Sequence, residues 1–247
     1  MEATSSWDLA IFLTGAFVAA YVTGLSGFAF GMVAAAIWLY ALTPIQTTAM
    51  IVAYALLVQG YAVWKLRHAL NVRRLVPFIV GSALGIPAGV FVLKWAAPSD
   101  LRLAVGSLLI LFSVYNLARP KLPVVKGAGT ALDTGVGVCN GILGGATGLG
   151  GILPTIWCGF RGWTKDEQRA VFQPTAVATF LMILIWLGGA GTLTADIGRL
   201  FAVGLPALAV GTWLGWKSYG RLDEAAFRKV VLVLLLVSGV TLVAMQT

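Results

Sequence analysis

Two glycine-rich stretches carry most of the chemistry this sequence offers: Gly24-Leu25-Ser26-Gly27, and Gly144-Gly145-Ala146-Thr147-Gly148-Leu149-Gly150-Gly151. Each interrupts a long apolar run. A helix that stops and restarts there presents, at the restart, N–H groups without intrahelical acceptors and the positive end of a helix dipole, which together suit an anion. Glycine at Gly27, Gly148 and Gly150 lets an anion approach the backbone, and Ser26 and Thr147 bring hydroxyl donors to the same places. Tight turning and close helix packing are the plainer uses of such glycines. Recurrence of the break at matching places in the two halves of the chain favours the binding reading.

Polar side chains inside apolar segments need partners, because an unsatisfied amide in lipid is costly. Interhelical hydrogen bonding accounts for Gln59 and Asn116, whereas Asn140, close to the second break, and Gln173, just before Pro174, are the better candidates for touching a substrate. Arg169, at the start of the sixth apolar segment, draws an anion toward the site or, more plainly, anchors topology. Cys139 and Cys158 lie nine before and ten after Gly148, which puts them at similar depth if the two arms run antiparallel. Small apolar packing explains them, with a thiol relay as the alternative. No Asp or Glu falls in the middle of a full span, and the single histidine, His68, sits among basic residues. Asp133, near the start of the fifth segment, is the acidic residue closest to the membrane and the candidate for coupling. Without a phosphate-binding loop, a metal-ligand cluster or an acid–base pair, no catalytic residue, metal or cofactor is expected, and an enzyme is disfavoured.

What must position these groups follows from composition. Residues of the apolar set AVILMFWYC make up 59% of 247 positions, charged residues only 11%, and mean hydropathy is +0.92. Such a chain is an all-α integral membrane protein, its apolar runs exceeding the roughly 18 residues that mark a spanning helix. The formal net charge of +8 does not indicate nucleic acid, since Lys and Arg lie in short clusters between apolar runs. Eight segments are predicted, at about 9–42, 44–63, 75–96, 101–118, 130–160, 168–189, 197–216 and 226–245. Glu2 and Asp8 in place of basic residues argue against a cleaved leader. Trp7, Trp38, Trp64, Trp95, Trp157, Trp163, Trp186 and Trp216 fall near segment ends and read as an interfacial belt.

The first and fifth segments are the broken ones, which prompts an internal comparison. A shift of 121 sets Gly24 on Gly145, Ser26 on Thr147, Gly27 on Gly148, Thr43 on Thr164 and Ala49 on Ala170; at 126, Gly85 meets Gly211, Gly89 meets Gly215, Arg102 meets Arg228 and Val105 meets Val231. The chain therefore reads as two membrane repeats, 1–120 and 121–247. Loop charges decide their relative orientation. Eight full crossings divide the 17 Lys and Arg 8 to 9, no bias at all, whereas treating the broken segments as hairpins that return to the same side gives 14 inside against Lys94, Arg102 and Arg199 outside. The expected fold is two inverted repeats, each a glycine-broken re-entrant hairpin with arms of about 15 residues, followed by three transmembrane helices. Full crossing by both arms, giving ten spans, keeps the same sidedness and stays open. Both termini are predicted non-cytoplasmic, in a cell inner membrane.

The residues Gly24-Leu25-Ser26-Gly27-Phe28 with Thr43-Pro44 and Thr47-Thr48-Ala49, then Gly148-Leu149-Gly150-Gly151 with Gln168-Arg169-Ala170, resemble the TauE/SafE family of sulfite exporter-like anion permeases over nearly the whole chain. After the first break stands Phe28-Ala29-Phe30-Gly31, poorer in glycine than is usual in that family. The resemblance implies transport of sulfur-containing anions such as sulfite, sulfonates or sulfoacetate. The expected function is thus a permease or exporter that binds a small anion near the membrane midplane through Ser26, Gly27, Asn140, Thr147, Gly148, Gly150, Gln173 and Arg169. An anion channel of the same architecture is the alternative, with a membrane-embedded thiol enzyme behind it. Its partners are the anion and the bilayer, with a homodimer left open and no nucleic acid.

Overall fold

In the computed structural model, which describes residues 6–26, 29–65, 72–118, 125, 129–218 and 224–246, the chain is helical, with no strand among the described residues. The helices are α1 (Ser6–Ser26), α2 (Phe30–Trp38), α3 (Pro44–Lys65), α4 (Val72–Trp95), α5 (Pro98–Ala118), α6 (Thr130–Thr147), α7 (Ile152–Phe160), α8 (Lys165–Gly189), α9 (Ala195–Ser218) and α10 (Glu224–Ala244). Six of them, α1, α4, α5, α8, α9 and α10, are long and apolar enough to cross a bilayer.

The arms of the two broken segments are unequal rather than matched at about 15 residues. They measure 21 and 9 residues in α1 and α2, and 18 and 9 in α6 and α7. Nine residues rise about 13 Å, less than half of a hydrocarbon core of roughly 30 Å, so α2 and α7 do not cross and ten spans are excluded. The second arms are short because α3 and α8 are announced early by capping boxes. Thr43 N–H and Oγ1 donate to Gln46 Oε1 at 3.0 and 3.1 Å while Gln46 N–H returns to Thr43 Oγ1 at 3.2 Å. Thr164 and Glu167 make the same reciprocal bonds at 2.9 and 3.3 Å.

Close packing divides the chain into two compact units that do not coincide with its halves. One comprises Met1–Ile51, Ala96–Pro120 and Thr194–Thr247; the other Val52–Trp95 and Lys121–Leu193. In the second unit α4 lies along α6 at backbone contact, with α7 and α8 packed beside them. Gly85 and Gly89 permit this, since a Cβ there would overlap the carbonyl oxygens of Val138 and Ile142. With lipid as apolar as the side chains, close backbone packing of this kind is what drives helices together.

In the first unit α1 lies along α9 in the same manner, and α5 along α10. A Cβ on Gly211 or Gly215 would overlap the carbonyl oxygens of Phe17 or Tyr21. These glycines lie 126 positions after Gly85 and Gly89, and Val138 and Ile142 lie 121 after Phe17 and Tyr21, so equivalent residues make equivalent contacts. α2 folds back on α1: Trp38 Nε1 donates to the Phe12 carbonyl at 2.9 Å, with the Phe12 and Phe30 rings 5.3 and 6.2 Å away. Trp38 is fully buried, and is therefore not an interfacial anchor, because the helix it ends stops inside the protein. Trp7 and Trp95, by contrast, are exposed, at 77% and 74%.

Candidate functional site

Among the described residues, the buried amides Asn140 and Gln173 and the buried carboxylate Asp133 all lie in the second unit, which also holds the break between α6 and α7. Gly148, at φ 75°, closes α6 by donating its N–H to the Gly144 carbonyl at 2.7 Å. The chain then passes against α8, where Gly150 faces Thr179 and Phe180 and Gly151 faces Ala176. Gly151, at φ 104°, is the N-cap of α7, a left-handed conformation that glycine adopts without strain. Ala29, the N-cap of α2 in the first unit, holds φ 78° with a Cβ.

Asn140 fixes this turn. Its side chain is fully buried; Oδ1 accepts the Gly151 N–H at 2.7 Å, and Nδ2 donates to Ser82 Oγ on α4 at 3.1 Å and to Thr179 Oγ1 on α8 at 3.3 Å. One amide thereby ties three helices to the start of α7. Thr147 Oγ1 donates to the Leu143 carbonyl at 2.7 Å and accepts the Leu149 N–H at 3.2 Å, which makes it a brace for the loop. Inside α7 the first backbone bond is Thr155 N–H to the Gly151 carbonyl at 3.1 Å. Residue 154 is proline, so the open donors of the first turn are the N–H groups of Ile152 and Leu153.

α7 runs back along α8, from Gly151 beside Ala176 to Cys158 beside Val171. Gln173, one turn before Ala176 on that face, is 9% exposed, and its Oε1 has no hydrogen-bond partner. Because amide oxygen and nitrogen are interchangeable in assignment, this is a buried amide end free to accept or to donate. Arg169, one turn earlier on the same stripe, is exposed. Of the other residues read as substrate contacts, Gly27 and the side chain of Ser26 lie outside the described residues. Asn140, Thr147, Gly148 and Gly150 lie at the break, and Gln173 lies on α8 one turn before Ala176, the residue that Gly151 faces. Sequence reading missed Ser82 and Thr179, whose only signal was a hydroxyl in an apolar segment.

At the other end of α7, Asp133 accepts from Trp157 Nε1 at 2.7 Å and faces Arg161 Nη2 at 3.5 Å. Arg161 lies 5.2 Å from the Trp163 ring, whose second cationic neighbour, Arg74 at 4.8 Å, pairs with Glu167 at 2.9 Å. Cys158 is buried near Asp133's level while Cys139 is exposed at Asn140's level, so the two thiols are not at one depth. The Gly148–Gly151 stretch descends along α6 before α7 begins, which displaces the register. No group of three or more metal-ligating side chains occurs among the described residues.

A turn of this kind, with open N–H donors, braced hydroxyls and, among the described residues, no carboxylate beside it, is suited to holding negative charge. The family model for the sulfite exporter TauE/SafE matches residues 11–242. The chain belongs to the TauE/SafE family. It is a multi-pass membrane transporter of anions such as sulfite, and not an enzyme. Neither the curated proteins nor the solved structures contain a match.

Proposed function

We propose that this TauE/SafE protein is a permease or exporter for a small sulfur oxyanion or organosulfonate, such as sulfite or sulfoacetate, and that the anion binds at the Gly148–Gly151 break of the second unit. The observation that carries this reading is the Asn140 tie. It spends the acceptor of a fully buried amide on the N-cap N–H, which fixes the turn and leaves the next two donors, of Ile152 and Leu153, aimed past it. Gln173 supplies a side-chain donor from α8, Thr147, Gly148 and Gly150 shape the turn, and Arg169 raises the local anion concentration by long-range attraction. In the first half, Ser26 and Gly27 serve the corresponding break.

The halves 1–120 and 121–247 act as inverted repeats that alternate access, with both termini on the non-cytoplasmic face of the inner membrane. The loop-charge asymmetry and the equivalent glycine contacts of α4 with α6 and of α9 with α1 support this. Uptake of labelled sulfite, sulfoacetate and a carboxylate control into proteoliposomes tests the substrate reading. Flux of sulfite or sulfoacetate above the carboxylate is expected, and no flux of any anion with folded protein would refute it. Impermeant thiol labelling of Gln246→Cys and Arg73→Cys, in a background lacking Cys139 and Cys158, tests the topology. Labelling of only the former in intact cells is the expected result.

A further inference from the structure

Asp133 is the one carboxylate that is buried among the described residues, at 7% exposure; Asp100 and Asp196 are exposed, and Glu167 is partly so. Burying a charge requires a compensating partner, and this one has two. Trp157 Nε1 donates to Oδ1, and the Arg161 guanidinium stands at 3.5 Å from Oδ2. Trp157 belongs to α7 and Arg161 is its C-cap, so both stand at the end of the helix whose other end carries the Gly148–Gly151 turn. The carboxylate and the proposed anion site thus bear on the same nine-residue element from its opposite ends.

We propose that Asp133 carries a coupling proton, so that one proton crosses with each anion. This rests on the transport reading above. A proton adds to Oδ2 of Asp133, no other bond forms or breaks, and Oδ1 remains the acceptor of Trp157 Nε1. The groups facing the carboxylate are Arg161 and the Cys158 thiol on α7, while Arg74 of α4 and Glu167 of α8 pair with each other beside Trp163. Neutralising Asp133 therefore removes one negative charge from beside Arg161 at the base of α7. About 10 Å of helix separates it from the turn, and at an effective dielectric constant of about 20 removing one negative charge at that distance strengthens anion binding on the order of tenfold. Linkage is reciprocal: a bound anion favours the protonated carboxylate by the same factor. A monoanion and its proton then move together without net charge.

The full-length protein in proteoliposomes, with a pH dye inside and the membrane potential clamped, tests this with methanesulfonate as probe. That anion is the conjugate base of a strong acid and carries no proton through lipid by itself. With the wild type, uptake should acidify the lumen, and a gradient of one pH unit, acidic outside, should drive about tenfold accumulation. Asp133→Asn should admit the anion down its own gradient with no acidification and no accumulation. If Asp133→Asn does not assemble, Asp133→Glu, which keeps a titratable group, should retain coupling with a displaced pH midpoint of uptake. Anion uptake by the wild type without acidification would overturn the proposal while leaving transport intact. Coupling that survives in Asp133→Asn, or a pH profile unchanged in Asp133→Glu, would overturn the assignment to this residue. Failure of the wild type to move any anion would instead remove the transport reading, and this proposal with it.

Discussion

Asn140→Asp is the sharpest perturbation of the proposed anion site, because it exchanges one amide NH2 for oxygen and alters little else. The acceptor for the Gly151 N–H at 2.7 Å is kept. The Thr179 hydroxyl, at 3.3 Å, can turn to donate where it now accepts, and Ser82, at 3.1 Å, can do so by releasing the Gly137 carbonyl to which it donates at 3.2 Å. The new element is charge. An anion on the Ile152 and Leu153 N–H groups would lie about 6 Å from a carboxylate at position 140, and at an effective dielectric constant of about 20 the repulsion is about 3 kcal/mol, or roughly a hundredfold in affinity. Asn140→Ala separates this from mere loosening. It leaves the Gly151 N–H without its acceptor, which costs about 1–3 kcal/mol and lowers thermal stability, with no electrostatic penalty on the anion. Titration calorimetry with sulfite on detergent-purified protein, alongside thermal melts, gives both numbers. A folded Asn140→Asp variant that binds sulfite within a fewfold of the wild type would refute an anion at this turn.

Gly151→Ala forces a Cβ into left-handed backbone at φ 104° and to 2.8 Å from the Ala176 Cβ, and should cost about 2–4 kcal/mol in a thermal melt. Ala29→Gly, at φ 78° at the N-cap of α2, should stabilise the protein by roughly 1 kcal/mol in the same assay. Gly85→Ala places a methyl against the Val138 carbonyl and should destabilise by about 1–3 kcal/mol, whereas Gly135→Ala, on the same α6 but with nothing within 4 Å, should be neutral or slightly stabilising. Thr43→Ala and Thr164→Ala each remove one capping box and should lower stability by about 1 kcal/mol apiece, with nearly equal shifts in melting temperature.

The helices and their breaks were legible in the sequence because their causes are local. An apolar run of more than 18 residues has one solution in a membrane, and the helix gives way within the glycine cluster, from Gly148 to Gly151. The Thr43-x-x-Gln46 and Thr164-x-x-Glu167 boxes were equally local and would have placed the starts of α3 and α8, and hence the shortness of α2 and α7. Trp38 deceived because proximity to a segment end was taken for proximity to the bilayer surface. The pairing of α4 with α6 and of α1 with α9 was not legible at all, since each pair joins residues from both halves and no local pattern records which glycine stripes face each other.

Asn140, Thr147, Gln173 and Asp133 were read from their residue types and places, whereas Ser82 and Thr179 were missed because the repeat comparison could not bring them out. Comparing the halves brings out what they share, and what they share is the frame: the breaks, the capping boxes, the glycines that seat on carbonyls. Asn140 falls on Ala19, Asp133 on Phe12 and Ser82 on Leu208 when the halves are superimposed at the same shifts, so the residues that give the second unit its polar interior are the ones the repeat does not repeat. In the first unit those positions are filled by buried apolar groups, Ala19, Phe12 and Leu208, and the corresponding hairpin is held by Phe12, Phe30 and Trp38 packing instead of by an amide and a carboxylate. A duplicated frame needs like contacts in both copies, whereas the proposed site for one anion and one proton needs polar groups in only one. Departures from internal symmetry, rather than the symmetry itself, are therefore where the specific chemistry of a repeat-built transporter is to be sought. Here they converge on the two ends of a single nine-residue helix.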